Sequence, residues 1–208
     1  MRYEDEVRVP LAALVEEMDV RFAEFAPEIV GDPKRSLFRI HRDVRFSADK
    51  SPYKTRAACW FFHCHAGRGV GRATTAHGGA GFYLEIGPDS SSIGGGVWMP
   101  PAPTLARIRE EIDEDPQSLA RVLRTPGLRK YGGLAEEAML TRTPRGYASD
   151  HPAAALLRHR SFTVGRELTE RELFDPRLPD VLARDYARIL PLVRWLNAAL
   201  GLRALARR

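Results

Sequence analysis

Long apolar runs are missing from this sequence. No stretch approaches the roughly 18 residues that a membrane-spanning helix needs, and Met1 leads into charged residues rather than into the apolar centre of a secretion signal. Both absences point to a cytoplasmic protein without a membrane partner. Cysteine is scarce, at two in 208 residues. Cys59 and Cys64 lie in one apparent strand from Ala57 to His65, on opposite faces if that strand is straight, so free reduced thiols are expected rather than a disulfide. Lysine is scarce too: of 32 cationic residues only Lys34, Lys50, Lys54 and Lys130 are lysines. With such an arginine bias the sequence pI near 9.5 is weak support for a nucleic-acid partner. The nucleotide signatures are absent as well. There is no GxxxxGK[ST] run, Gly67-Arg68-Gly69-Val70-Gly71 lacks both the spacing and the following helix of a dinucleotide fingerprint, and no serine elbow occurs. No repeat or low-complexity tract divides the chain. We read residues 1–208 as a single domain, long enough to bury a proper core.

What the chain does hold is a concentrated basic stretch. Between Arg35 and Arg56 stand seven cations, Arg35, Arg39, Arg42, Arg45, Lys50, Lys54 and Arg56, against Asp43 and Asp49. Their balance of +5 equals the formal charge of the whole chain. Phe38, Ile40, Val44 and Phe46 alternate with these charges, so the segment can rest on a core while its cations converge. Arginine offers a planar fork suited to phosphate or carboxylate.

Around this stretch the periodicities are clear. Leu11, Leu14, Val15, Met18, Phe22 and Phe25 recur at three and four, which predicts a helix from Pro10 to Phe25. Strands are predicted at Ala57 to His65, Phe82 to Ile86, Ile93 to Met99 and Ser161 to Leu168, with 66–81 as a loop. Gly94 to Gly96 mark a bulge or a close backbone approach. Helices are expected from Thr104 or Pro103 to Asp115, from Pro116 to Leu123, and from Pro152 to Arg158 with Ser149 or Asp150 as cap. Thr169 with Glu172 has capping-box spacing. Leu178 to Leu200 carries a long apolar stripe that contains Pro191. The sum is an α+β fold: an antiparallel sheet of about four strands with helices packed around it.

The runs FRIHRDVRFSADKSPYKT, GFYLEI, GGGVWMP and PRGYASDHPAAALLRHRSF, in this order, resemble the bacterial and fungal family called domain of unknown function 2461, over nearly the whole chain. The resemblance implies an α+β domain and no established activity. Members of that family usually carry a further helical stretch before the segment matching Tyr3 to Pro10. The resemblance therefore implies a shortened member, with an apolar patch near the first helix either exposed or covered in a homodimer.

The leading functional expectation is a protein that binds a phosphorylated or carboxylated small molecule through Arg39, Arg42, Arg45, Lys50 and Lys54, with Asp43 and Asp49 orienting them. One alternative is an enzyme acting on such a ligand, with His151 or Asp49 transferring a proton. Another is a nucleic-acid-associated protein, disfavoured because few aromatics interleave with the cations. The bland alternative is a network of charges that only stabilises the fold. His63 and His65 on one strand face, with His77 or a carboxylate, can be arranged around zinc, but a satisfied strand histidine is the preferred reading and no metal ligands are assigned. No motif names a cofactor.

Overall fold

The computed structural model describes residues 2–42, 50–66 and 79–205. Five strands, β1 (Ile29–Val30), β2 (Ala57–His63), β3 (Gly81–Ile86), β4 (Ser91–Val97) and β5 (Phe162–Leu168), form one sheet in chain order, each neighbouring pair antiparallel. The expected count of about four is exceeded by β1, whose two residues are too few to show any periodicity. Six α-helices occur among the described residues: α1 (Val9–Phe25), α2 (Ala102–Glu114), α3 (Ser118–Leu123), α4 (Ala154–Leu157), α5 (Glu170–Leu173) and α6 (Leu178–Ala199); α1 and α6 pack on the sheet, and α2, α3 and α5 pack on α6. The architecture is α+β. No helix among the described residues is long and apolar enough to cross a membrane.

Alternation along the strands sends one set of side chains toward α1 and α6. The cross-strand pairs Phe61↔Phe82, Cys59↔Leu84, Leu84↔Ile93 and Gly95↔Val164 define that inner face. Phe22 of α1 and Tyr186 of α6 complete it. Phe22 lies 5.0 Å from Phe61, Tyr186 stacks on Phe82 at 4.6 Å between centroids, and the Tyr186 hydroxyl donates to the Tyr83 carbonyl at 3.1 Å. All four rings are fully buried, and each contributes roughly 1.5–3 kcal/mol by leaving water. The glycines of β4 are explained by this packing. A Cβ on Gly95 would stand 2.7 Å from Ile189 of α6, and one on Gly96, whose φ is +131°, would stand 1.9 Å from the Phe162 carbonyl oxygen. The close approach is therefore made by α6 and β5.

Three boundaries differ from expectation for stated reasons. A wide helical turn, Glu4–Arg8, runs directly into α1, with the Val9 N–H bonded to Glu4; its wider winding accommodates Pro10, whose ring an α-helical turn would crowd. β2 stops at His63 rather than at His65, because the chain turns there, the Ala66 N–H bonding back to the His63 carbonyl at 2.8 Å. Helix α4 is only Ala154–Leu157, without a side-chain cap from Ser149 or Asp150. The segment 67–78, which holds most of the expected loop together with His77, lies outside the described residues.

Candidate functional site

The described residues of the basic stretch, 35–42 and 50–56, form two antiparallel arms. On the inner part Leu37 pairs with Cys59, the Phe38 N–H donates to Ala58 and the Trp60 N–H donates to Ser36. On the outer part the Lys54 N–H donates to Ile40 at 2.9 Å, His41 pairs with Tyr53, and the Arg42 N–H donates to Pro52 at 3.0 Å. Between these two registers Arg39 alone is opposed by Thr55, Arg56 and Ala57, so the second arm bulges. The bulge fixes which cations share a face. Ile40, Lys54 and, by alternation, Arg42 lie on one side, while His41 and Tyr53, with rings 5.4 Å apart, take the other. Arg39, Lys50 and Lys54 are exposed and Arg42 is half-buried. Lys54 Nζ stands 5.4 Å from the centre of the Phe38 ring, within cation–π range. Asp43, Arg45 and Asp49 lie outside the described residues.

The cation side of this excursion overlooks a cleft of about 980 Å³ at one end of the sheet, a volume at the upper end of small-molecule sites. Its floor is the start of β2 and β4 and the end of β3 and β5: Ala57, Ser91, Ile86 and Leu168. Leu11 and Leu14 of α1 close one side, Leu173, Phe174 and Leu178 the other. Among the five cations expected to bind ligand, Lys54 lines the cleft, and Arg56 joins it two residues on. Arg56 is aimed by Glu85, which accepts from its Nη1 at 2.7 Å and, through its other oxygen, from the Tyr83 hydroxyl at 2.7 Å. The Glu85 bond raises the Arg56 pKa, and burial followed by the Glu85 bond pushes the Tyr83 phenol well up. Among the described residues the other charges lining the cleft are acidic: Glu6, Asp89, Glu167, Glu170 and Asp175. Asp89 lies close enough to act on Arg56, and the basic stretch gives no sign of these carboxylates, which are scattered through the chain.

His151 sits elsewhere, beneath α2. Its Nδ1 accepts the Ala153 N–H at 3.0 Å, so Nε2 carries the proton and donates to Asp113 at 3.0 Å. Both ring nitrogens are thereby engaged at the foot of α4, and His151 is not among the residues lining the cleft.

The most connected polar group was missed in the sequence. Asp185 on α6, 3% exposed, accepts from Arg166 at 2.6 Å, from the Tyr131 hydroxyl at 2.6 Å and from Arg188 at 3.3 Å, while Arg166 also grips Glu172 at 2.8 and 3.0 Å. The Arg166 bonds hold the Glu172 carboxyl down at about 2. For Asp185 burial acts upward, and the bonds from Arg166 and Tyr131 outweigh it, so its pKa is lowered. A signal existed: alternation puts Arg166 on the inner face of β5 with Phe162, Val164 and Leu168, where an arginine needs a buried partner. Asn197, 2% exposed, is a second such residue, bonding both the N–H and the carbonyl of Ala80 at 2.8 and 3.1 Å.

Residues 1–195 match the family model described as "Conserved hypothetical protein (DUF2461)". No curated protein and no solved structure matches the chain.

Proposed function

We propose, for a chain that belongs to the DUF2461 family, that the cleft at the open end of the sheet binds a small molecule through a phosphate or carboxylate. Lys54 and Arg56 are the groups that receive it. The observation that carries this reading is the distribution of charge among the described residues: Lys54 and Arg56 next to the basic excursion, with Asp89 near Arg56, and the carboxylates of Glu6, Glu167, Glu170 and Asp175 elsewhere around the cleft. Arg56 spends one edge on Glu85 and keeps further N–H donors of its five-donor guanidinium. A simple anion gains at the two cations and is repelled by the carboxylates. A ligand with an acidic end and an amino or other cationic end, facing Glu6, Glu167 and Glu170, satisfies both. The same carboxylates oppose a nucleic-acid backbone, whose affinity comes from phosphates alone. Arg39, Arg42 and Lys50, further out on the excursion, act in this reading by steering the acidic end inward.

The test is a thermal melt of the protein with amino acids, amino-phosphates, sugar phosphates and nucleotides. A ligand at about 100 times its dissociation constant adds roughly 2.7 kcal/mol, or about 5–10 °C for a chain of this size. Zwitterionic compounds should give the largest shift. Lys54→Gln should remove that shift while leaving the ligand-free melt within about 1 °C, since the ammonium is exposed. No shift with any compound, or a full shift retained in Lys54→Gln, would refute the proposal.

A further inference from the structure

We propose that His63, Cys64 and His65 form a three-ligand site for a thiophilic divalent cation of the zinc class, its fourth position left to water or a ligand from solution. Three consecutive residues of a straight strand point alternately to opposite faces and cannot share an ion. Here the strand ends at His63: the Cys64 N–H makes the last ladder bond, to the Glu28 carbonyl, and the Ala66 N–H closes a turn back onto the His63 carbonyl, both at 2.8 Å. The turn brings one ligand atom from each residue within 4.8 Å of the others. In a tetrahedral zinc site with one sulfur and two nitrogens, ligand atoms stand roughly 3.4–3.6 Å apart. Closing the remaining gap of about 1 Å takes small side-chain rotations, and Cys64 is only half-buried and His65 exposed.

The second observation concerns His63, which is fully buried and paired with Ile29 of β1. Its Nε2 lies 3.0 Å from the Arg203 carbonyl oxygen. A carbonyl only accepts, so Nε2 carries the hydrogen and Nδ1 keeps its lone pair. That lone pair faces the turn, where it accepts the His65 N–H at 3.2 Å. A metal-binding histidine is characteristically set this way, one nitrogen donating to a carbonyl and the other presented to the ion. The entering cation replaces this hydrogen bond with a coordinate bond, the N–H of the exposed His65 turns to water, and the thiol loses its proton to solvent. One thiolate and two imidazoles select zinc-class ions over magnesium or calcium, which take oxygen ligands. Glu28, the nearest buried carboxylate on the neighbouring strand end, is committed to Arg194 at 2.6 Å. The site is independent of the cleft. Ala57, which lines the cleft, and His63 are the two ends of β2, roughly 20 Å apart at strand rise.

The experiment titrates the reduced full chain with cobalt(II) as a spectroscopic probe and with zinc against a chromophoric chelator. One equivalent of cobalt should give the d–d bands of a tetrahedral ion and a thiolate-to-cobalt charge-transfer band, and zinc should displace both. Cys64→Ser should abolish the charge-transfer band. His65→Ala, at an exposed position that the fold does not need, should weaken zinc binding at least ~100-fold, as loss of a direct ligand exceeds that of an outer partner. Absence of the charge-transfer band, its persistence in Cys64→Ser, or equal zinc affinity in His65→Ala would each overturn the proposal.

Discussion

Replacing Arg166 by methionine keeps most of the side-chain stem and removes the charge that joins Asp185 to Glu172. Asp185, 3% exposed, then loses its two contacts from Arg166 and retains the Tyr131 hydroxyl at 2.6 Å and Arg188 at 3.3 Å. Glu172 falls back on the N–H and hydroxyl of Thr169, both at 3.0 Å. Removing one partner of a buried pair costs about 3–5 kcal/mol. The remaining Arg188 contact and the partial exposure of Glu172 place the expected loss at the lower end, about 3 kcal/mol. Urea unfolding at pH 7 reads this as a lower midpoint at unchanged slope, and melting should fall by about 6–12 °C. The pH dependence supplies a second readout. Both carboxyls have folded pKa values below their ordinary ones, near 4.5 for Glu172 and 3.8 for Asp185, with Glu172 held at about 2. Their stabilisation is therefore complete above about pH 5 and is lost as pH falls toward 2. Arg166→Met should flatten the stability curve in that window. Adding Asp185→Leu should restore part of the loss, because it removes the buried carboxylate that Arg166 no longer matches. A loss under about 1 kcal/mol with an unchanged acid limb would refute the network as a stabilising element.

Asn197→Ala should cost about 2–3 kcal/mol, because it strands the buried N–H and carbonyl of Ala80; hydrogen exchange should show the Ala80 amide losing protection before the β3–β4 ladder does. The expected apolar patch near the first helix reduces on α1 to Val9 and Val20, 58% and 68% exposed, which share a face with the exposed Glu16 between them. A homodimer using that face should be broken by Val20→Glu in sedimentation velocity, and a wild-type chain that stays monomeric at every concentration rules such a dimer out.

The helices and four of the strands were legible because their signals are local. The stripe from Leu11 to Phe25 is the buried face of α1, and the Thr169–Glu172 box forms with both of its bonds. The misplaced boundaries are set by contacts that periodicity does not encode. β2 ends at His63 because the Ala66 N–H turns back onto its carbonyl. α4 begins late because the His151 ring, rather than the Asp150 carboxylate, accepts an N–H at its start, so Pro152 and Ala153 form a turn instead of the first helical residues.

The candidate site was legible in composition but not in geometry, and the reason is the bulge between Arg39 and the 55–57 segment. Sequence counts cations, whereas the register decides which of them share a side. A hairpin in the outer register throughout would pair Arg39 with Thr55 and Phe38 with Arg56; the inner register, set by Leu37↔Cys59, instead places Ala58 opposite Phe38 and releases Arg56 to Glu85 on β3. A two-residue difference in pairing thus turns one member of an apparent charge cluster into a partner of the sheet and leaves Lys54 at the cleft. The carboxylates of the cleft were invisible for a complementary reason. Glu6, Asp89 and Glu167 belong to a helical turn, a hairpin loop and a strand end, far apart in the chain; the antiparallel meander brings Asp89 and Glu167 to one edge by putting the start of β2 and β4 beside the end of β3 and β5, and the turn before α1 adds Glu6.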